Sequence, residues 1–150
     1  MQKTNAKVYF SLFGEEFPIE TVSNALGLNP THSHIKGEEI KRKSNHNVTY
    51  TRPLYRKETT WELGTEYEET TDLNEQISQV IEEFQNKEET INELCKTYKL
   101  ECLFMIVLVI NDGFTPATYI NKEFINIANQ IGAEIHFDIY ANPYKSEFDE

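Results

Sequence analysis

The sequence predicts an α+β fold in which a mixed β-sheet carries its helices mainly on one face. Three features lead to this prediction: an alternating apolar segment near the N-terminus, an apolar run at residues 102–110, and helical apolar periodicity on both sides of that run. The elements follow in the order β-α-β-β-α-β-α-β, an extended ferredoxin-like arrangement. We therefore expect one domain over residues 1–150, with its core at about 7–142 and a loose tail at 143–150.

The first strand and the first helix are predicted by a change of apolar period. The segment "KVYFSLFG" alternates between two faces, as a strand does. In "FPIETVSNALG" the apolar residues have helical spacing, Pro18 is tolerated in the first turn, and Gly27 suits the position after the helix. The next segment, "NPTHSHIKG", is predicted to be a loop that enters a second strand.

The middle of the chain is polar before its pattern becomes regular again. Residues 40–58 have no clear period apart from a possible short strand at "NVTYT", so we expect a hairpin or a mobile excursion. "TTWELGTEY" then alternates like a strand. Asp72 and Glu75 have the spacing of a capping box, which predicts a helix whose apolar face returns up to Tyr98, either continuous or briefly broken near "QNKEE".

The last third predicts a central strand, a helix and a final strand. "CLFMIVLVI" is rich in β-branched residues and too short to span a membrane, so we expect a strand covered on both faces. A helix follows and ends at Gly132, and "EIHFDIY" alternates as a strand. The predicted core comprises the periodic apolar residues Phe10, Leu12, Val22, Leu26, Ile77, Val80, Ile81, Phe84, Phe104, Ile106, Leu108, Phe124, Ile127, Ile131, Ile135, Phe137 and Ile139.

The charge distribution is uneven. The chain has a net charge of −11, which argues against general nucleic-acid binding, because neutralising phosphates requires a surplus of Lys and Arg. Residues 36–57, called here the basic island, hold seven basic and two acidic residues and so carry +5, whereas the rest of the chain carries −16. Half of the positive charge therefore lies in one short segment.

The basic island is predicted to contact a protein partner or an anionic ligand. A Trp beside Arg side chains is typical of a contact centre, although a Trp is more often a core residue. The alternative is that the acidic body of the same chain neutralises the island. The candidate contact residues are His34, Lys36, Lys41, Arg42, Lys43, Arg52, Arg56, Lys57 and Trp61.

No metal, cofactor or catalytic residue is predicted. His32 and His34 would share one face of an extended chain, but a third metal ligand is not identifiable. His136 and Asp138 are also two residues apart, yet no nucleophile with a recognisable motif accompanies them. Nucleotide-binding, redox and zinc-protease motifs are missing, and the two cysteines are too few for a disulfide scaffold.

Location is predicted from two sequence features. The chain has no apolar run near the ~20 residues that span a bilayer. Its first residues also lack the basic and apolar regions of a signal peptide. We therefore expect a soluble, cytoplasmic protein without a membrane contact.

Several segments together resemble the uncharacterised bacterial and phage family DUF4279. They are "FSLFGEEFPIETVSNALGLNPTHSHIKGE", the lone Trp in "TTWELGT", the helix "DLNEQISQVIEEF" and the final "IGAEIHFDIYA". The resemblance covers about residues 7–142. It implies an α+β domain, and it implies no established activity or catalytic residues.

The function expected from these observations is that of a non-enzymatic, cytoplasmic protein-interaction module. Small acidic domains of this kind serve as immunity proteins or as phage-encoded inhibitors that mask a target protein by charge and shape. The alternative is an anion- or nucleotide-binding sensor that uses His34, Lys36 and the segment from Arg52 to Arg56.

Overall fold

The fold is a six-stranded mixed sheet with four helices, which confirms the predicted α+β class. A computed structural model describes residues 3–42 and 52–143. The short strand expected at "NVTYT" and the loose tail beyond Pro143 lie outside the described residues. The elements are β1 (Asn5–Gly14), α1 (Ile19–Leu26), β2 (His32–His34), β3 (Thr59–Gly64), β4 (Glu68–Glu69), α2 (Leu73–Glu83), α3 (Glu88–Tyr98), β5 (Glu101–Ile110), α4 (Lys122–Ile131) and β6 (Glu134–Ala141).

The sheet has β1 and β5 at its centre. Its strand order is β2-β3-β1-β5-β6, and the short β4 pairs with the start of β1. All pairs are antiparallel except β5 and β6, which run parallel and are connected through α4. β2 and β6 therefore form opposite edges of the sheet.

The helices cover one face of this sheet. Along β1, every second residue from Ala6 to Leu12 is fully buried, which is the period that a strand with one covered face requires. β5 follows the same pattern at first, with Phe104 and Ile106 fully buried and Leu103 and Met105 half-buried. On the second face only Val107 is buried, so the predicted coverage of β5 on both faces is found at this position alone.

Aromatic rings connect the sheet to the helices. The Phe10 ring lies 4.5 Å from that of Phe84 at the end of α2 and 5.1 Å from that of Phe104 on β5, measured between centroids. The Phe104 ring in turn lies 4.9 Å from that of Phe124 on α4. Tilted and edge-to-face pairs at these distances add to the stabilisation from burial.

The helix ends follow the chemistry that the sequence indicates. The Asp72 carboxylate accepts a hydrogen bond from the Asn74 N–H (3.0 Å) at the start of α2, and the Asn121 side chain accepts one from the Phe124 N–H (2.9 Å) at the start of α4. Gly132 ends α4 with φ +64°, a left-handed conformation that glycine adopts without strain. The helical pattern after Asp72 breaks between Glu83 and Glu88, so it forms α2 and α3.

The predicted core is correct except on β6. Phe137 and Ile139 are 44% and 55% exposed, and Ile135 is only half-buried. Phe137 pairs with the buried Ile106, so it lies on the helix-covered side of the sheet, but β6 is the edge strand and has a neighbouring strand on one side only. The alternation of β6 therefore predicted correctly which face Phe137 and Ile139 lie on, but it overestimated how far they are buried.

No helix in the described part of the chain is long and apolar enough to cross a membrane.

Candidate functional site

The described residues of the basic island lie between β2 and β3 and pair with one another as two arms. Its two described arms, residues 35–42 and 52–58, are called here the basic hairpin. The Gly37 N–H donates to the Arg56 C=O (2.8 Å), the Arg56 N–H donates to the Glu38 C=O (2.7 Å), and the Ile40 N–H donates to the Leu54 C=O (2.7 Å). This ladder brings basic residues that are far apart in sequence onto one extension at the β2 edge of the sheet.

The base of the basic hairpin is anchored to the buried end of β3. The hydroxyl of Thr59, which is fully buried, donates to the Glu15 C=O (3.0 Å) and accepts from the Lys36 N–H (3.1 Å). Gly37 has φ +92°, which a residue with a side chain adopts only with strain, and the Glu38 N–H closes a turn onto the Ile35 C=O (3.1 Å). The orientation of the first arm is therefore held by the hydrogen bond to the buried Thr59 and by the turn at Gly37.

Most of the positive charge of the basic hairpin is exposed. The Lys36 ammonium lies 3.7 Å from the Glu15 carboxylate, and both groups are solvated, so this pair contributes little to stability. The Arg42 guanidinium donates to the Arg52 C=O. Within residues 3–42 and 52–143, the Arg52, Arg56 and Lys57 head groups form no ion pair with a carboxylate. The charge of Arg56 is partly offset by the nearby Glu62 carboxylate, whose pKa it lowers. In the described part of the chain, pairing with the acidic body therefore does not account for Arg52 and Lys57.

The structure brings together most of the predicted contact residues. Lys36, Lys41, Arg52 and Lys57 are exposed, and Arg42 and Arg56 are half-buried, as is His34 on the neighbouring β2. Lys43 lies outside the described residues.

Trp61 was wrongly predicted as a contact residue. Its side chain has no exposed surface, because it lies on the helix-covered face of β3. The indole N–H donates to the Ser23 hydroxyl of α1 (3.0 Å), and the ring packs edge-on against Phe84 at 6.4 Å between centroids. Trp61 therefore belongs to the core, and it supports the β3 end of the basic hairpin from inside.

Three apolar contact candidates were missed in the sequence analysis. Ile35, Leu54 and Tyr55 of the basic hairpin are about half exposed, at 51%, 49% and 55%. For Leu54 and Tyr55 the signal was their position side by side in "RPLYRK", a polar segment without the apolar period of a helix or a strand. Exposed Tyr and Leu among arginines have the composition of an interface centre, where aromatic residues and Arg are enriched.

His32 and His34 do share one face, as the sequence predicts. They lie opposite Glu62 and Thr60 of β3. His32 Nε2 lies 3.0 Å from a Glu66 carboxylate oxygen. Burial and then the positive charge of Arg56 lower the pKa of His34, which favours the neutral ring. Among the residues that the structure describes, no three His, Cys, Asp or Glu side chains are grouped so that they could hold a metal ion.

We expect the purified chain to bind no metal stoichiometrically. The reason is the missing third ligand beside His32 and His34. Elemental analysis of protein made without a histidine tag should give well under one equivalent of zinc, copper, nickel or iron. One tightly held equivalent that disappears in a His34→Ala variant would contradict this expectation.

The open face of the sheet carries a second group of titratable residues. Burial raises the pKa of the Glu62 carboxyl, although Lys7, His32 and Arg56 act in the opposite direction. Burial and the negative charge of Glu62 raise the pKa of Tyr9 to about 12. The Lys7 ammonium lies 5.3 Å and 5.6 Å from the ring centroids of Tyr9 and Tyr67. The nearby positive charges thus offset only part of the cost of burying an ionised Glu62 carboxylate.

A Glu62→Gln variant should be more stable than the wild type at neutral pH. The raised pKa means that the folded state favours the protonated carboxyl, so the contribution of Glu62 to stability is present at low pH and is lost as the pH rises through its folded pKa. The stabilisation by Gln should therefore shrink toward about pH 4, near the usual carboxyl pKa. Urea unfolding at both pH values measures it. A variant that is less stable at pH 7 would show that attraction to Lys7 and His32 dominates.

A cavity of about 430 Å³ lies away from the basic hairpin. It opens between the start of β1, the segment around β4 and the loop after β5, and it is lined by Thr4, Glu69, Thr71, Glu75 and Phe114, among others. The Lys3 ammonium lies 3.2 Å from Glu69 at this cavity. The carboxylates of Glu69 and Glu75 make this cavity unsuited to binding an anion.

The fold and the surface define a small α+β domain with an open sheet and a basic hairpin at one edge. The family described as "Domain of unknown function (DUF4279)" matches residues 3–142, so the chain belongs to the DUF4279 family. The resemblance noted in the sequence is thereby confirmed. Comparisons with curated proteins and with solved structures give no match.

Proposed function

We propose that this protein is a non-enzymatic, cytoplasmic interaction module whose basic hairpin binds an acidic surface of a partner protein. The observation that carries the proposal is the backbone ladder between Gly37, Glu38 and Arg56, which gathers cationic side chains around exposed Tyr55 and Leu54. A cationic surface with an apolar centre suits a protein target, because burial of the apolar groups adds affinity to the attraction between charges.

The charge outside the basic island supports the same proposal. The rest of the chain carries −16, so an acidic partner would on average be repelled by the rest of the molecule and attracted by the island. Complementary charge of this kind raises association rates and suppresses wrong orientations. An immunity protein or a phage-encoded inhibitor, which must mask one target quickly, would use both effects.

The alternative proposal is an anion- or nucleotide-binding sensor. It is favoured by the proximity of Arg56 to His34, where the charge of Arg56 acts on the His34 pKa. A bound anion would offset that effect. Three cavities in the described part of the chain are all lined by residues outside the basic hairpin, which weakens this alternative, because small ligands are usually held in a cleft that buries most of their surface. The cavity of about 430 Å³ at Thr4 and Phe114 is lined by carboxylates, which would repel an anion.

Affinity capture with variant baits tests the proposal. The baits are the wild type, an Arg52→Glu/Arg56→Glu variant, and a control Lys96→Glu/Lys122→Glu variant with the same change in net charge on exposed positions of α3 and α4. A protein captured from a lysate of the source organism by the wild type and the control, but not by the Arg52→Glu/Arg56→Glu bait, is the expected result. Equal capture by all three baits would remove the basic hairpin from the site.

Calorimetric titration with ATP, GTP and inorganic phosphate tests the alternative. Binding of one of these probes that is lost in the Arg52→Glu/Arg56→Glu variant and kept in the control variant would favour the sensor. The absence of heat with all three probes, together with a captured protein, would favour the interaction module.

A further inference from the structure

β6 is an edge strand whose outer side is unpaired in the described structure. It lies at the end of the sheet opposite the basic hairpin and pairs only with β5. The edge is eight residues long and carries exposed Phe137 and Ile139. Proteins usually protect such edges with charge, proline or a covering element, because an exposed strand edge pairs readily with another strand.

The hydrogen-bonding direction of β6 is known from its last contact with β5. The Asn142 N–H donates to the Ile110 C=O (2.9 Å). Because N–H and C=O groups alternate in direction along a strand, even-numbered residues of β6 point to β5 and odd-numbered residues point outward. The free donors and acceptors of the edge therefore belong to Ile135, Phe137, Ile139 and Ala141.

The side chains of β6 have a self-complementary pattern. In an antiparallel pair centred on Phe137, this residue would lie opposite its own copy, and Ile135 would lie opposite Ile139 of the second copy. His136 would then lie opposite Asp138 of the second copy, on the other face. The outward N–H and C=O groups are those that this register requires, because Phe137 with its copy and Ile135 with Ile139 become the hydrogen-bonded pairs.

Existing contacts on β6 extend this complementarity. His136 Nε2 lies 2.7 Å from a Glu134 carboxylate oxygen, and the Tyr140 hydroxyl donates to Asp138 (2.9 Å). In the register centred on Phe137, these two pairs would join across the strands into one polar ladder. A shift of one pairing step in either direction would place two acids opposite each other: Asp138 opposite Glu134 in one case, and Asp138 opposite Asp138 in the other. Like charges directly opposite each other destabilise a strand pair, so the acidic residues select the register centred on Phe137.

We propose that a second copy of this chain pairs antiparallel with β6, in the register centred on Phe137, to form a symmetric dimer with a continuous sheet. The pairing would satisfy the outward backbone groups and cover the apolar residues Phe137 and Ile139. It is independent of the function proposed for the basic hairpin, which lies at the other edge of the sheet.

Charge variants test both the dimer and its register. Sedimentation of the full chain over a range of concentrations should show a reversible dimer. His136→Glu places an acid opposite Asp138 of the second copy, and Asp138→Lys removes the carboxylate that faces His136 and puts a bulky cation in its place, so each variant alone should raise the dissociation constant at least tenfold. Both residues are exposed, so folding should be unaffected. An equimolar mixture of the two variants should recover a dimer, because the mutant Glu would face the mutant Lys and His136 would face Asp138.

A cross-linking pair provides a second measurement. Phe137→Cys should give a disulfide-linked dimer under mild oxidation, because directly opposed Cα atoms lie about 5.5 Å apart in a hydrogen-bonded pair, within disulfide range. Tyr140→Cys is the matched control, because in this register it would lie opposite Glu134 and far from its own copy. The wild type measures any background from Cys95 and Cys102.

Three results would overturn the proposal. If the wild type stays monomeric up to about 100 μM, the chain does not form the proposed dimer. The edge of β6 could then pair only with a strand of another protein. A dimer that neither charge variant weakens uses a different surface. A dimer that is weakened by each variant and not restored by the mixture, or that cross-links through Tyr140→Cys, has a different register.

Discussion

Replacing Ile106 by Ala is expected to lower the free energy of unfolding by about 2–5 kcal/mol. Ile106 is fully buried on β5, between Val8 of β1 and Phe137 of β6. Truncation removes apolar surface from the core and leaves a cavity, because the two neighbouring strands hold the backbone in place and prevent collapse. Urea unfolding followed by circular dichroism measures the change.

Ile125→Ala is the matched control for this prediction. Ile125 lies on α4 and is 52% exposed, so the same substitution should change stability by less than about 0.5 kcal/mol. A loss at Ile106 no larger than the loss at Ile125 would mean that β5 does not form the centre of the sheet, and the fold described above would be incorrect.

The Arg52→Glu/Arg56→Glu variant should bind the captured partner about 2–5 kcal/mol more weakly than the wild type, if these charges are desolvated in the complex. Its stability should stay within about 1 kcal/mol of the wild type, because neither arginine side chain forms an ion pair in the described part of the chain. The ladder uses only backbone groups of Arg56, and these remain in the variant. Calorimetry and a melting curve measure the two quantities.

The pKa of His34 reports whether this variant keeps the native geometry. The charge of Arg56 helps to lower the pKa of His34, so a Glu at position 56 should raise it, as NMR titration would show. Unchanged affinity, with a raised His34 pKa, would exclude the basic hairpin from the interface. A large fall in melting temperature would instead show that the arginines stabilise the fold. The Lys96→Glu/Lys122→Glu variant controls for net charge in both measurements.

Local patterns predicted most elements of the fold. The strand in "KVYFSLFG", the helix that ends at Gly132 and the Asp72 cap are all present, because each depends on residues close together in sequence. Coverage of β5 was overestimated: an apolar run shows that a strand is apolar on both sides, but it does not show whether a second layer exists. Burial of Phe137 and Ile139 was overestimated for a related reason, since alternation indicates a face and does not show that β6 lies at an edge.

The sequence predicted the charged residues of the candidate site correctly, but it predicted the wrong aromatic residue for the site. The clustering of Lys and Arg in sequence identified the basic hairpin. The ladder between Gly37, Arg56 and their neighbours could not be predicted, because long-range backbone pairing leaves no periodic signal in a polar segment. Sequence proximity to Arg56 suggested Trp61, whereas strand alternation turns Trp61 inward and the hairpin presents Tyr55 to solvent.

The strand order has a consequence for avidity. The basic hairpin and β6 lie at opposite edges, so two chains joined along β6 would carry a hairpin at each end of one continuous sheet. At about 4.8 Å per strand, the two β2 strands would be roughly 43 Å apart. A target with two acidic sites at a matching distance would be held about 10²–10⁴-fold more tightly than a target with one site, because the second contact becomes intramolecular. The width of the sheet would then select targets by the spacing of their sites.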